Sequence, residues 1–237
     1  MIGTPWLNCF DIQIELFLNH FMGRYPWFDL LVFKCAVDPV LLRLVIVLIV
    51  WYLLFDRRGT RQLRKDSELL IASAFLAMMA TLVTRVLADG LPFRARPISI
   101  TALHFHIPYP GTLGLINWNS FPSDHATLFF ALAAGIFMVS RRLGWFAFAW
   151  VFLFICFPRL YIGLHWPTDI LAGAFIGISI VQMARIPAVR NFVKRTATEW
   201  NRFHPYIFLT VVFIWCIEIA TVLENIRGFF VWLLRLL

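Results

Sequence analysis

Apolar residues fall in long blocks along this chain, and short runs rich in Arg and Lys separate them. A helix needs about 20 mostly apolar residues to cross a hydrocarbon layer of about 30 Å. Blocks of this kind lie near 36–55, 68–88, 124–140, 144–164, 167–184 and 205–225. The third and fifth are short and open on polar residues, so their ends are expected to stand in protein rather than lipid. Residues 9–33 differ, mixing Leu, Phe and Trp with Asp11, Glu15, Asn19, Arg24 and Asp29. That mixture suits an amphipathic helix at the interface better than a span. The stretch from Gly228 to Leu237 is apolar but too short to cross alone. The expected fold is all-α: a polytopic membrane helical bundle of about six transmembrane helices with an N-terminal amphipathic interfacial helix, forming a single domain over 1–237.

Composition agrees with the pattern. Hydrophobic residues make up 61% of the chain and charged residues 14%, with a mean hydropathy of +0.78. A soluble domain is about half apolar and about one quarter charged. The net charge of +8 sits between the apolar blocks: Arg57, Arg58, Arg61, Arg64 and Lys65, then Arg141 and Arg142, then Arg185, Arg190, Lys194, Arg195 and Arg202. These alternate connections fall on one side of a six-span bundle, which the positive-inside rule makes cytoplasmic. The N-terminal stretch, the 89–123 connection and the 164–167 turn then face outward. A basic chain can bind nucleic acid, but nothing else here supports that partner. The four cysteines form no C-x-x-C pair and no Cys/His metal spacing. The first residues lack the basic region and short apolar run of a removable signal peptide.

Three polar clusters fall at the outward ends of separate blocks: Arg94-Ala95-Arg96-Pro97, Phe121-Pro122-Ser123-Asp124-His125, and Pro158-Arg159 with His165 and Asp169. Ionisable residues at membrane depth are costly and mark function. The second cluster opens a helix, because Ser and Asp are cap residues and an apolar run follows at once. A helix start offers free N–H groups and partial positive charge, which is an anion site. It is also what a plain cap at a membrane interface looks like. In the third cluster Asp169 lies four residues after His165, so the two can meet on one helix face. A carboxylate on one imidazole nitrogen would fix the tautomer and leave the other free to attack. Arg96 and Arg159 can each grip two phosphate oxygens with a planar fork, whereas Arg94 is also explained by interfacial snorkelling.

These clusters resemble the signature of the type-2 phosphatidic acid phosphatase superfamily: Lys-x6-Arg-Pro, Pro-Ser-Gly-His and Ser-Arg-x5-His-x3-Asp. Arg96-Pro97, Pro122-Ser123-Asp124-His125 and Pro158-Arg159…His165…Asp169 match in order and spacing, all within 85–169. The resemblance implies that His165 is the nucleophile forming a phosphohistidine, that Asp169 orients it, and that His125 protonates the leaving oxygen. Arg96, Arg159, Ser123 and the backbone N–H groups near Ser123 would hold the phosphate. It implies no metal and no cofactor. Three positions depart from the pattern: Asp89 stands where the first-motif Lys belongs, Asp124 replaces Gly, and Pro158 replaces Ser. Arg85, one helical turn before Asp89, and Arg94 are the candidates to replace the lost cation. With Asp124 at the second motif, these residues complete the expected phosphate-binding set.

Phe121-Pro122-Ser123-Asp124-His125-Ala126-Thr127 is most similar to the bacitracin-resistance type of undecaprenyl-diphosphatase. Members of that type remove the terminal phosphate of undecaprenyl diphosphate on the outer face of the bacterial inner membrane. His165-Trp166-Pro167-Thr168-Asp169 is also similar to lipid A phosphotransferases, where a lipid sugar replaces water as acceptor. Three activities stay open at this level: a polyprenyl-diphosphate phosphatase, the phosphotransferase, and a phosphatase for another lipid such as phosphatidylglycerol phosphate, lipid A or phosphatidic acid. A channel would place its ionisable residues mid-span or show repeats, and this chain does neither. Vanadate haloperoxidases share the anion site but are mostly soluble.

Overall fold

The computed structural model describes residues 8–37, 39–55, 61–103, 105, 118–204 and 206–207. Among them the regular structure is helical throughout: α1 (Cys9–Asn19), α2 (Pro26–Val37), α3 (Val40–Phe55), α4 (Arg61–Gly90), α5 (Asp124–Val139), α6 (Arg141–Trp150), α7 (Phe157–Tyr161), α8 (Pro167–Val181) and α9 (Pro187–Phe203).

Residues 9–33 form two helices rather than one. Asn8 caps α1 by accepting from the Asp11 N–H at 2.8 Å. The chain turns after α1 through Gly23, whose φ of 87° is left-handed and costs glycine little. Asp29 secures the turn, accepting from the Gly23 N–H at 2.8 Å and from the Tyr161 hydroxyl at 2.5 Å. The sidedness of α1 is inverted relative to a helix on a soluble protein. Asp11 and Glu15 are fully buried, while Phe10, Leu16 and Phe17 are exposed. Its carboxyl groups face protein and its large apolar groups face outward, as befits a helix whose surroundings are lipid.

Among the described residues, three helices are long and apolar enough to cross a membrane: Asp66–Gly90, Arg141–Tyr161 and Pro167–Arg185. Pro26–Val37 and Val40–Leu54, bent by 58°, make a fourth if taken as one span. Taken so, the expected span at 36–55 begins a helix earlier and is broken. The block at 205–225 lies almost wholly outside the described residues. The block at 124–140 is α5, a 16-residue apolar helix and the hub of the bundle, packed against α4, α6 and α8.

Two features of this packing place the site. First, α8 presents Gly173 and Gly177 to α5. A Cβ on Gly173 would sit 2.3 Å from the Ser123 carbonyl oxygen, and one on Gly177 would sit 2.1 Å from that of Thr127. Only bare backbone permits this approach, as in small-residue contacts between membrane helices. It seats the first turn of α5 on the first turn of α8, where the Ser123 N–H donates to the Asp169 carbonyl at 3.1 Å. Second, α6 runs into α7 through a π-helical turn at Val151–Cys156. Pro158 follows and has no N–H for the ladder, so a wider turn accommodates the mismatch, as π-bulges often do beside functional sites. Arg159 then donates its Nη1 to the Ile155 carbonyl at 2.9 Å.

Candidate active site

The three motif clusters converge although up to 75 residues separate them. A cavity of about 150 Å³ is lined by Arg85, Asp89, Arg96, Asp124 and His165, with Thr84, Trp118 and Asn119 among its other walls. Arg96 and Arg159 are buried, as are Ser123, His165 and Asp169.

Hydrogen bonds fix the state of His165. Its Nδ1 lies 3.0 Å from the Ser120 carbonyl, which can only accept, so Nδ1 carries the proton. Nε2 then holds a lone pair, and it faces Arg96 Nη1 at 3.5 Å. The expected carboxylate contact is longer, with Asp169 Oδ2 3.6 Å from Nδ1. The backbone carbonyl fixes the tautomer, and Asp169 supplies negative charge beside it. Burial lowers the His165 pKa below its ordinary 6.5, Arg96 adds to this, and Asp169 and Asp124 oppose it. The imidazole is thus neutral near pH 7.

His125 repeats the arrangement. Its Nδ1 donates to Asp124 Oδ1 at 2.7 Å. Its Nε2 lies 2.7 Å from Arg43 Nη2; a guanidinium only donates, so Nε2 accepts. Arg43 comes from α3, is buried, and carries no motif that marks it in the sequence.

Two members of the expected phosphate-binding set are placed otherwise. Asp124 directs its carboxylate at cations and donors: Arg85 Nη2 at 2.6 Å, His125 Nδ1, and the His125 N–H at 2.7 Å. Asp124 lines the cavity, but its carboxylate is turned to Arg85 and His125 and would repel a phosphate rather than bind it. It takes the anion position at the start of α5, where negative charge is favoured. Two N–H groups expected to hold phosphate are engaged, that of Ser123 by the Asp169 carbonyl and that of His125 by Asp124. Ser123 Oγ itself faces the Ala126 N–H at 3.5 Å.

Arg94 is the second. It does not line the cavity but lies behind it. Its Nη1 donates to Asp169 Oδ1 at 2.5 Å and to Thr168 Oγ1 at 2.8 Å, and its Nη2 donates to Asp11 Oδ2 at 2.5 Å. The guanidinium also stands 5.5 Å from the centre of the Trp166 ring, a cation–π distance. Of the two candidates for the missing Lys, only Arg85 lines the cavity.

Sequence reasoning missed Asp11, Glu15, Arg43, Ser120 and Thr168. Asp11 also accepts from the Thr168 N–H at 2.9 Å and hydroxyl at 2.6 Å. Ser120 donates its hydroxyl to Asp169 Oδ2, and the Trp166 N–H donates to the same oxygen at 2.8 Å. The only hint in the sequence was that acidic residues in α1 recur four apart, which puts them on one face.

The chain is similar to several known proteins. The chain is 30% identical over 136 residues to the undecaprenyl-diphosphatase BcrC of Bacillus subtilis, covering 57% of this chain and 62% of that protein. It is 26% identical over 196 residues to the putative undecaprenyl-diphosphatase YbjG of Escherichia coli, covering 81% and 91%. It spans less than two thirds of the length of the Bacillus relatives it matches. The crystal structure of Aquifex aeolicus LpxE shares its fold, with a TM-score of 0.52 at 20% identity over 74% of this chain and 94% of the other. The family model for the PAP2 superfamily matches residues 68–192, a stretch that holds every motif residue named above. The chain, a membrane protein by its long apolar helices, belongs to the PAP2 superfamily.

Proposed function

We propose that this protein is an integral-membrane phosphatase that removes the terminal phosphate of undecaprenyl or a similar polyprenyl diphosphate through a phosphohistidine. The observation that carries the reading is the matched state of the two histidines. Each anchors Nδ1 and turns an Nε2 lone pair toward an arginine, Arg96 for His165 and Arg43 for His125.

In this reading the His165 Nε2 lone pair attacks the terminal phosphorus. The bond to the bridging oxygen breaks, and its electrons leave on the lipid monophosphate. Arg96, Arg159, Arg85 and Ser123 hold the terminal phosphate. Phosphoryl transfer depends mostly on such positioning and charge neutralisation. Water then attacks the phosphohistidine and regenerates His165. Arg43 supports a diphosphate as the substrate. A phosphate monoester of an alcohol must lose an alkoxide, which requires a proton. A diphosphate loses a phosphate, which is stable as an anion and requires mainly a cation. With Arg43 donating to His125 Nε2, the site is better prepared to supply charge than a proton, which favours the diphosphate. When substrate enters, Arg43 turns to its second phosphate and frees Nε2 for any proton transfer.

The relatives named as undecaprenyl-diphosphatases support the same lipid class. The basic connections at the opposite ends of the spans support a site on the outer face of a bacterial inner membrane. The test is phosphate release from undecaprenyl diphosphate in detergent, with and without a lipid A acceptor. Wild type should release phosphate, and His165→Ala should abolish release under both conditions. Transfer to lipid A with little release to water would make the protein a phosphotransferase. Unchanged release by His165→Ala would reject the nucleophile.

A further inference from the structure

Behind the cavity lies a cluster that the chemistry above does not use. Asp11 is fully buried although it belongs to α1, the first helix of the chain. Its carboxylate accepts from Arg94 Nη2, from the Thr168 N–H and hydroxyl, and from Asn8 Nδ2 at 2.8 Å. Arg94 carries the contact onward to Asp169. Asp169 stands beside His165 and is also held by Ser120 and the Trp166 N–H. Every side-chain oxygen of this pair of acids therefore meets a donor, and one guanidinium bridges them. A buried charge set this fully bonded is rigid, and loss of one member leaves another unpaired.

We propose that Asp11 is a positioning residue of the active site: acting through Arg94 and Thr168, it holds Asp169, and thereby His165, in the geometry of attack, so that α1 is part of the catalytic machinery. The first turn of α8 carries Thr168 and Asp169 together, so a shift of α1 moves both. The inference rests on His165 as the nucleophile, and it adds a partner that lies outside the family match at 68–192.

The electrostatics give a signature that packing alone would not. Among the described residues, the charged groups around His165 include Asp169 from α8, Arg96 from the connection after α4, Asp124 from α5, and Arg85 and Asp89 from α4. Behind Asp169 stand Arg94 from that same connection and Asp11 and Glu15 from α1. Attack requires neutral His165, so the acid limb of the rate profile follows its pKa. Asp11→Asn removes a negative charge, which destabilises the imidazolium and moves the acid limb to lower pH. Arg94→Met removes a positive charge and moves the limb to higher pH. A purely structural lesion would lower the rate without moving the limb in opposite directions.

The experiment measures kcat and KM against pH for farnesyl diphosphate hydrolysis in detergent, for wild type, Asp11→Asn, Arg94→Met, the double variant and His165→Ala. The expected result is a loss in kcat of about 10- to 100-fold in each single variant with little change in KM. The limb shifts should be opposite and about half a pH unit or more. The double variant, which removes the bridging charge pair together, should return the limb toward wild type, and it serves also if one single variant fails to fold. Limbs that stay in place, or that move the same way in both single variants, overturn the proposal. A dead His165→Ala beside a wild-type Asp11→Asn profile rejects the brace alone. A His165→Ala that still turns over rejects the nucleophile itself and the brace with it.

Discussion

Gly177→Ala tests how the bundle sets the site. The new Cβ would lie 2.1 Å from the Thr127 carbonyl oxygen and 3.0 Å from its carbon, both in the backbone of α5. Ordinary contact begins at 3.4 Å, so the oxygen must retreat by about 1.3 Å, the gap between 2.1 and 3.4. Backbone cannot rotate away as a side chain does, so α5 and α8 must part. Overpacking of this size costs about 2 kcal/mol, which lowers the unfolding midpoint of a chain this long by about 4–8 °C. The same displacement strains the 3.1 Å bond from the Ser123 N–H to the Asp169 carbonyl and moves His125 relative to His165. A shift of about 1 Å in a reacting constellation costs about 100-fold in rate. The assays are thermal unfolding in detergent and lipid-diphosphate hydrolysis. Gly90→Ala is the control, since a Cβ there meets nothing within 4 Å. A Gly177→Ala protein with wild-type midpoint and turnover would refute the account of the helix contact.

Two further outcomes follow from buried charges. Arg43→Ala should cut hydrolysis of a polyprenyl diphosphate by about 100-fold, the cost of removing one preorganised donor, and should affect phosphatidate hydrolysis far less. Equal losses on both substrates would remove the argument for a diphosphate. Glu15→Gln should stabilise the protein at pH 8 and lose that advantage toward pH 5, read by thermal unfolding in detergent. The Glu15 oxygens have no hydrogen-bond partner among the described residues, and burial, then Asp11 and Asp169, raise its pKa well above 4.5. The folded state therefore keeps a proton that the unfolded state releases from about pH 4.3 upward. Stability falls as pH climbs through the raised value, and a glutamine is spared that fall. A Gln variant less stable at every pH would refute the protonated state.

The motif residues were legible because their chemistry is local. His165 and Asp169 share a turn, Ser123 caps the helix that His125 opens, and Pro158 with Arg159 precedes the return. What stayed hidden depends on which distant faces meet. Arg43 reaches His125 across 82 positions, and Asp11 reaches Thr168 across 157, so no window of sequence joins them. Arg94 and Arg96 are two residues apart and chemically alike, yet one bridges carboxylates behind the cavity and the other lines it. Asp124 was readable on physical grounds, because a carboxylate repels the phosphate it was expected to hold. The helix count was blurred at both ends. The break between α2 and α3 falls at Asp38-Pro39, inside the block taken as one span at 36–55, and the stretch 9–33 contains a left-handed turn at Gly23.

The length of α5 has a consequence for the surrounding bilayer. At 1.5 Å per residue, its 16 residues rise about 24 Å, some 6 Å less than the usual hydrocarbon thickness. In the proposed orientation, Arg141 and Arg142, which follow α5 after Ser140, would hold that end at the inner surface. The start of α5, where the two histidines gather, would then be sunk beneath the outer hydrocarbon edge. With the proposed lipid substrate, the phosphate would reach it by a short dip of the headgroup, its tail still among the acyl chains. Such a site is matched to thin membranes, and each added carbon in the surrounding acyl chains would deepen the descent that a charged headgroup must make.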